Sequence, residues 1–142
     1  MSETMKNTTR RRRLFFRRGT TSVEFAVTVP LFLAFLFGAL EFGRANMIRH
    51  TAQNAAYEAA RAAIVPGATA AKAEAAAYTA LSYAGIGTAT VTITPSVLGP
   101  GDNEVTVDVS VPMDPNSYLT PLFLSGKNLE ATSTLSREIT GL

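Results

Sequence analysis

The first third of the chain is dominated by one long apolar run. Residues 25–40 are almost continuously apolar, interrupted only by Thr28, Pro30 and Gly38. As a helix this run is about 24 Å long, slightly less than the roughly 30 Å hydrocarbon core of a bilayer. Apolar neighbours extend it at both ends. The pattern therefore predicts one membrane span over about 23–43.

The helical pattern continues beyond the apolar run. Residues 41–63 contain no proline and many alanines, and Pro66 and Gly67 then end the pattern. We predict one helix from about Thr21 to Val65. Small residues recur along one side of it at spacings of three and four, a pattern that allows another surface to approach closely. With one aromatic, this stripe comprises Gly38, Phe42, Ala45, Ala52, Ala56, Ala59 and Ala63.

In the remainder of the chain the spacing of the apolar residues changes from helical to alternating. Residues 68–85 are rich in alanine and end at a glycine, which predicts a second helix. Residues 88–94 and 105–111 alternate apolar and polar positions, with a turn sequence between them, and 129–139 alternates more weakly. The predicted fold class is α+β: a long N-terminal membrane-spanning helix continuing as a rod, a second shorter helix, and a small antiparallel sheet of about three strands.

The C-terminal part is small for an independent core. The 66–142 segment falls in the size range where a single core is marginal, so we infer that the outer part of the first helix contributes to it. The connection 112–128 contains the apolar sequence YLTPLFL. It is either a partner-binding surface or a segment tucked under the sheet, and tucking is the commoner outcome.

Charge is distributed unevenly. Of the 13 Lys and Arg residues, seven lie in 1–19, whereas from Thr20 onward acidic residues exceed basic ones. Basic residues beside a membrane span remain on the cytoplasmic side, so the N-terminus is predicted to be cytoplasmic and the C-terminal part extracytoplasmic. A nucleic-acid patch is the weaker reading, and no small-x-small site follows the apolar run as a secretory signal requires. The topology signal comprises Arg10, Arg11, Arg12, Arg13, Arg17 and Arg18.

The composition offers little chemistry. There is no cysteine and one histidine, so disulfides, thiol catalysis and multi-histidine metal sites are excluded. Asp102, Asp108 and Asp114 are scattered and match no calcium-binding loop. We therefore predict a protein that is not an enzyme, with no cofactor, no metal, no small-molecule substrate and no nucleic-acid partner.

The polar residues at the start of the apolar run need a separate explanation. A membrane anchor tolerates Glu24 at a helix start, where Thr20, Thr21 and Ser22 are candidate caps, but does not require it. Arg18-Gly19, then four residues, then Glu24-Phe25 resembles the processing site of type IV prepilins.

The resemblance extends along the first helix. The wider stretch over about 17–63, with Pro30, Gly38 and then Glu41-Phe42-Gly43-Arg44, resembles the TadE/TadG pilin-like family of the Tad branch. This resemblance implies a minor pilin or pseudopilin of a Tad (Flp-type) type IV pilus or a related secretion system. Such a subunit contributes to pilus assembly or adhesion.

The resemblance also implies roles for particular residues. A prepilin peptidase would cut between Gly19 and Thr20, removing a leader, 1–19, from a helix, 20–65, and a small extracytoplasmic head, 66–142. Glu24, with Phe25 beside it, would pair with the new α-amine of a neighbouring subunit. Pro30 would mark a kink, and Glu41, Phe42, Gly43 and Arg44 the outer membrane interface. The implied partners are the membrane, the peptidase, other pilin subunits and the inner-membrane assembly platform.

One alternative remains open at this stage. The chain would instead be an uncleaved single-pass envelope protein whose head binds a partner. The Gly19–Thr20 bond discriminates between the two readings, because only a pilin-like subunit is cut there.

Overall fold

The computed structural model describes residues 15–99 and 101–137. The chain divides into two compact units whose boundary lies between Phe37 and Gly38. In chain order the elements are α1 (Phe15–Ile64), α2 (Ala70–Tyr83), β1 (Thr90–Thr94), β2 (Glu104–Pro112), α3 (Met113–Asn116) and β3 (Asn128–Ser136). The α+β class, with a long N-terminal apolar helix and a three-stranded antiparallel sheet, is confirmed.

Helix α1 begins earlier than its sequence pattern predicted. It starts at Phe15 rather than at about Thr21, so Thr20, Thr21 and Ser22 lie within it and the prediction that they cap it is wrong. Between Phe15 and Thr21 only Gly19 disfavours a helix, at a cost of about 1 kcal/mol, and the surrounding helix tolerates it. At the other end α1 stops at Ile64, one residue from the predicted Val65.

The first unit consists of the N-terminal part of α1 as far as Phe37. Its large apolar side chains, such as Phe25, Phe32 and Phe35, are exposed. The helix contains a candidate membrane span within Gly19–Ile64, with a mean hydropathy of 2.1 in its most apolar window. By length and composition it is able to cross a bilayer.

The second unit is built on the rest of α1. The predicted stripe of small residues is buried in the core, which confirms that the outer part of α1 belongs to it; only Phe42, also assigned to the stripe, is exposed. The absence of bulk along the stripe brings the helix backbone close to its neighbours. The buried residues of this helix face are Ala45, Ile48, Ala52, Ala55, Ala56, Ala59, Ala60 and Ala63.

Helix α2 has well-defined ends. Thr69 is the N-cap, and its hydroxyl accepts a hydrogen bond from the Lys72 amide. At the other end Gly85 adopts a left-handed φ of 65°, and the amide of Ile86 donates back to the Leu81 carbonyl. This is a Schellman motif, and Leu81 and Ile86 are both buried, as its hydrophobic contact requires.

The sheet has the order β1-β2-β3, with both pairs antiparallel. The predicted alternation in β2 is confirmed: four valines face the core and are almost fully buried, while polar residues face the other way. On the polar face the Thr106 and Thr134 hydroxyls lie 2.9 Å apart, and the Thr132 hydroxyl donates to Asp108. The buried valines are Val105, Val107, Val109 and Val111.

The connection between β2 and β3 differs from its prediction. It opens with the short helix α3, which the sequence pattern did not reveal, and Met113 of that helix is buried. Leu124 packs partly against the core, but Leu119, Leu122 and Phe123 are exposed. The expectation that these three tuck under the sheet is therefore wrong. The sheet's core face is already covered by the alanine face of α1 and by the buried residues of α2.

Candidate functional site

The predicted cleavage site lies in the first unit, within α1. Gly19 is helical, and a Cβ added to it would meet no atom within 4 Å. Packing therefore does not require a glycine here, although glycine weakens a helix by about 1 kcal/mol relative to alanine. The residue therefore costs helix stability without serving the packing that the structure describes around it.

Glu24 and Phe25 follow on the same helix, and both side chains are exposed. Residues four apart on a helix are neighbours, so Glu24 lies one turn from Thr20 on the same side. The hydroxyl of Thr28 donates to the backbone carbonyl of Glu24 at 2.7 Å, and the Glu24 side chain is exposed. Such a carboxylate is accessible to a neighbouring molecule.

Pro30 lies inside α1 and is exposed. It has no N–H to donate to Ala26, so one hydrogen bond of the helix is missing there. The helix continues on both sides of it. The kink predicted at this residue stays a prediction.

Within the second unit, the two charged residues of the 41–44 stretch, Glu41 and Arg44, contact the head. The Glu41 carboxylate accepts hydrogen bonds from three successive amides, at 3.0 Å from Leu122, at 2.9 Å from Phe123 and also from Leu124. Charge-assisted hydrogen bonds of this kind are stronger than neutral ones. One carboxylate thus fixes the backbone of the 122–124 segment against α1.

Arg44 lies one turn further along α1 and is buried. Its guanidinium donates to the carbonyls of Asn116 at 2.8 Å, Ala84 at 3.0 Å and Gly85 at 3.3 Å. The guanidinium also lies 4.4 Å from the centre of the Tyr118 ring, a cation–π contact. The fork of an arginine suits this task, because it presents several donors in one plane.

Asn116 is the residue that sequence reasoning missed. It is buried, and its side-chain oxygen accepts from the amides of Gly87 and Thr88 at 3.1 and 3.2 Å. Its side-chain nitrogen donates to the carbonyls of Thr88 and Pro112 at 2.7 and 2.8 Å. Asn116 thereby joins α3 to the irregular segment that precedes β1, and it presents its own carbonyl to Arg44. No signal in a single sequence distinguishes this asparagine from a loop residue.

The two middle residues of the 41–44 stretch differ from the charged pair. Phe42 is exposed and stacks on Phe123, with ring centroids 6.3 Å apart. A Cβ at Gly43 would meet no atom within 4 Å. The assignment of this stretch to the outer membrane interface stays a prediction. The structure adds that Glu41 and Arg44 attach the head to α1.

The structure describes only part of the basic leader. Arg10, Arg11, Arg12 and Arg13 lie outside the described residues, and the side chains of Arg17 and Arg18 do as well. The topology signal predicted for them stays a prediction.

Comparison with known proteins gives one match. The family model described as TadE-like protein matches residues 19–61. No curated protein and no solved structure matches the chain. The matched segment begins at Gly19 and includes Glu24, Pro30, Glu41 and Arg44. The resemblance seen in the sequence is therefore confirmed over residues 19–61, where the chain is similar to the TadE-like family.

Proposed function

We propose that this chain is a minor pilin or pseudopilin of a Tad-type pilus, or of a related secretion system, processed after Gly19. One observation carries the proposal. The TadE-like match covers 19–61, and within it a glycine is followed four residues later by Glu24-Phe25 at the head of a long apolar helix. The domains follow as a leader, 1–19, a helix, 20–65, and a head, 66–142.

The cleavage step explains Gly19. A peptidase acts on an extended backbone, so the helix around the Gly19–Thr20 bond has to unwind before it is cut. Glycine lowers the free energy needed to unwind that turn. Hydrolysis removes seven basic residues and leaves an α-amine on Thr20 with a pKa of about 8. The new N-terminus then leaves the cytoplasmic face without carrying arginines through lipid.

The new α-amine also gives Glu24 a partner. In an assembly of parallel helices, the exposed Glu24 carboxylate of one subunit meets the Thr20 ammonium of its neighbour. In a low-dielectric environment this pairing favours one register of docking, because an unpaired carboxylate there is strongly disfavoured.

The proposed localisation follows from the basic leader and the apolar helix. The N-terminus is cytoplasmic, the helix crosses the cytoplasmic membrane once over about 23–43, and the head is extracytoplasmic. The sheet and α2 make the head larger than the nearly bare helix of a major pilin in this branch, which favours a minor subunit. Its partners are the prepilin peptidase, other pilin subunits and the assembly platform.

The test is the N-terminal sequence and intact mass of the protein from membranes of cells that carry the matching peptidase. We expect a start at Thr20, and a start at Met1 in cells without the peptidase or in the Gly19→Arg variant. Gly43→Arg is the matched control, because Gly43 is also helical with open space around it, and it should still be cut. A start at Met1 that does not depend on the peptidase would contradict the proposal and leave an uncleaved envelope anchor whose head binds a partner.

A further inference from the structure

We propose that the 118–124 loop is a second membrane contact, which lies in the head-group and upper acyl region of the bilayer beside the point where α1 emerges. We call the segment YLTPLFL the 118–124 loop. The proposal rests on the membrane span of α1 and not on cleavage after Gly19. Its ligand is a lipid surface.

The loop is apolar and exposed. It contains no charged residue, and 74% of Tyr118 and 68% of Leu122 are exposed, with Leu119 and Phe123 exposed by more than half. A cluster of large apolar side chains on the surface marks an interaction site rather than a solvated loop. Tyrosine beside apolar residues is typical of segments at the membrane–water interface.

The position of the loop on α1 identifies lipid as the ligand. The ring of Phe123 lies 3.3 Å from the place of a Gly38 Cβ, and it stacks on Phe42. Gly38 belongs to the apolar run that ends at Leu40, so the tip of the loop is level with the end of that run. Where the end of this run, at 38–40, is in lipid, Phe123 beside Gly38 has reached the bilayer too. The loop therefore adds apolar surface beside Gly38 and Phe42 of α1.

The backbone of the loop is adapted to an apolar environment. An unpaired amide in lipid is strongly disfavoured, and for this reason irregular backbone is uncommon at membrane depth. Here the amides of Leu122, Phe123 and Leu124 all donate to Glu41. The same three bonds compensate the charge of Glu41. A loop exposed only to water would not need this arrangement, because water would satisfy its amides.

The far end of the head lacks these features. Strand β2 leads from the β1–β2 turn to α3 and the loop, and its nine residues place those two ends about 26 Å apart. Val97 in the turn is 80% exposed, and its apolar neighbour Leu98 is partly buried against the core, so Val97 belongs to no exposed apolar cluster there. It is therefore a matched probe position that should stay in water when the loop is in lipid.

The chain has no tryptophan, so the fluorescence of a single introduced tryptophan reports only on its own position. The full-length Leu122→Trp and Val97→Trp variants are reconstituted in phosphatidylethanolamine–phosphatidylglycerol vesicles, with or without bromine on the upper acyl chain. We expect brominated lipid, and not aqueous iodide, to quench the tryptophan fluorescence of Leu122→Trp. For Val97→Trp we expect iodide, and not brominated lipid, to quench the fluorescence. Because both side chains are exposed, both variants should keep the unfolding midpoint of the wild type.

Three results would overturn the proposal. If iodide quenches Leu122→Trp as strongly as Val97→Trp, the loop lies in water. If neither lipid nor iodide reaches Leu122→Trp, a second protein copy covers the loop. Phe35→Trp monitors the span itself. If only iodide quenches its fluorescence, the membrane span and the loop contact are both contradicted. Cleavage after Gly19 is untouched by any of these results, because the reconstituted chain is uncut.

Discussion

At the scale of single residues, Arg44 is the side chain that ties α1 to several parts of the head. It joins α1 to two segments that are distant in the sequence, since its partners Ala84, Gly85 and Asn116 lie 40, 41 and 72 residues away. It is buried and reaches them as one planar group. The head therefore depends on an arginine at this position and not only on a positive charge.

We expect Arg44→Lys to lower the free energy of unfolding by about 2–4 kcal/mol. A lysine cannot reach all three carbonyls from one position, and each buried carbonyl that loses its donor costs about 1–3 kcal/mol. Thermal or denaturant unfolding of the protein in detergent micelles measures the change. Arg49→Lys, at an exposed position on the same helix, should leave the stability unchanged. Equal stability of the two variants would show that Arg44 acts only through its charge.

Glu41 acts on a smaller part of the molecule. In Glu41→Gln one carbonyl oxygen replaces two charged oxygens, so it cannot hold the three amides of Leu122, Phe123 and Leu124 together. We expect amide hydrogen exchange at 122–124 to become faster while exchange in β2 stays slow. Glu74→Gln, exposed on α2, is the control. Unchanged protection at 122–124 would mean that other contacts hold the loop.

At the scale of elements, the alanine face of α1 is a packing surface in the core of the head. Ala56 is fully buried, whereas Gln53, a turn earlier, is exposed. We expect Ala56→Leu to destabilise the head by about 1–3 kcal/mol, because a larger side chain forces packed neighbours apart. Gln53→Leu should change stability by less than about 0.5 kcal/mol. The unfolding midpoints of the two variants provide the test, and equal midpoints would place the α1 face outside the core.

The elements that the sequence predicted are those whose signal is local. The alternation of Val105, Val107 and Val109 predicts β2 because each valine reports which face it occupies. The glycine at 85 predicts the end of α2 because only glycine readily adopts the left-handed φ found there.

The features that the sequence did not predict depend on distant partners. Met113–Asn116 forms a helix of one turn, too short to show a periodic pattern. The contacts of Glu41 with 122–124 span more than 80 residues. A charge that marks a membrane interface and one that binds a loop look the same in the sequence. The TadE-like resemblance over 19–61 lay within reach of sequence reasoning because its signal is a short motif followed by an apolar run.

At the scale of the whole molecule, the two units differ in what they require from their surroundings. The second unit buries its apolar residues in a core of its own, whereas the apolar side chains of 23–37 are exposed along α1. Such an apolar surface is stable only in lipid or against other protein chains. For the pilin-like subunit that we propose, transfer of this surface from lipid to neighbouring helices is the assembly step, and in that proposal Glu24 sets the register of docking.

We therefore expect Glu24→Ala to uncouple assembly from processing. The exposed carboxylate contributes nothing to the core of the head, so the variant should be cut to Thr20 and unfold at the wild-type midpoint. Pili sheared from the cells should nevertheless be fewer, because the fibre loses the pairing of the Glu24 carboxylate with the α-amine of the neighbouring subunit. Glu24→Asp keeps the charge and should restore part of the yield, and Glu74→Ala, on the surface of α2, should leave it unchanged. A wild-type yield of pili from Glu24→Ala would remove the pairing role.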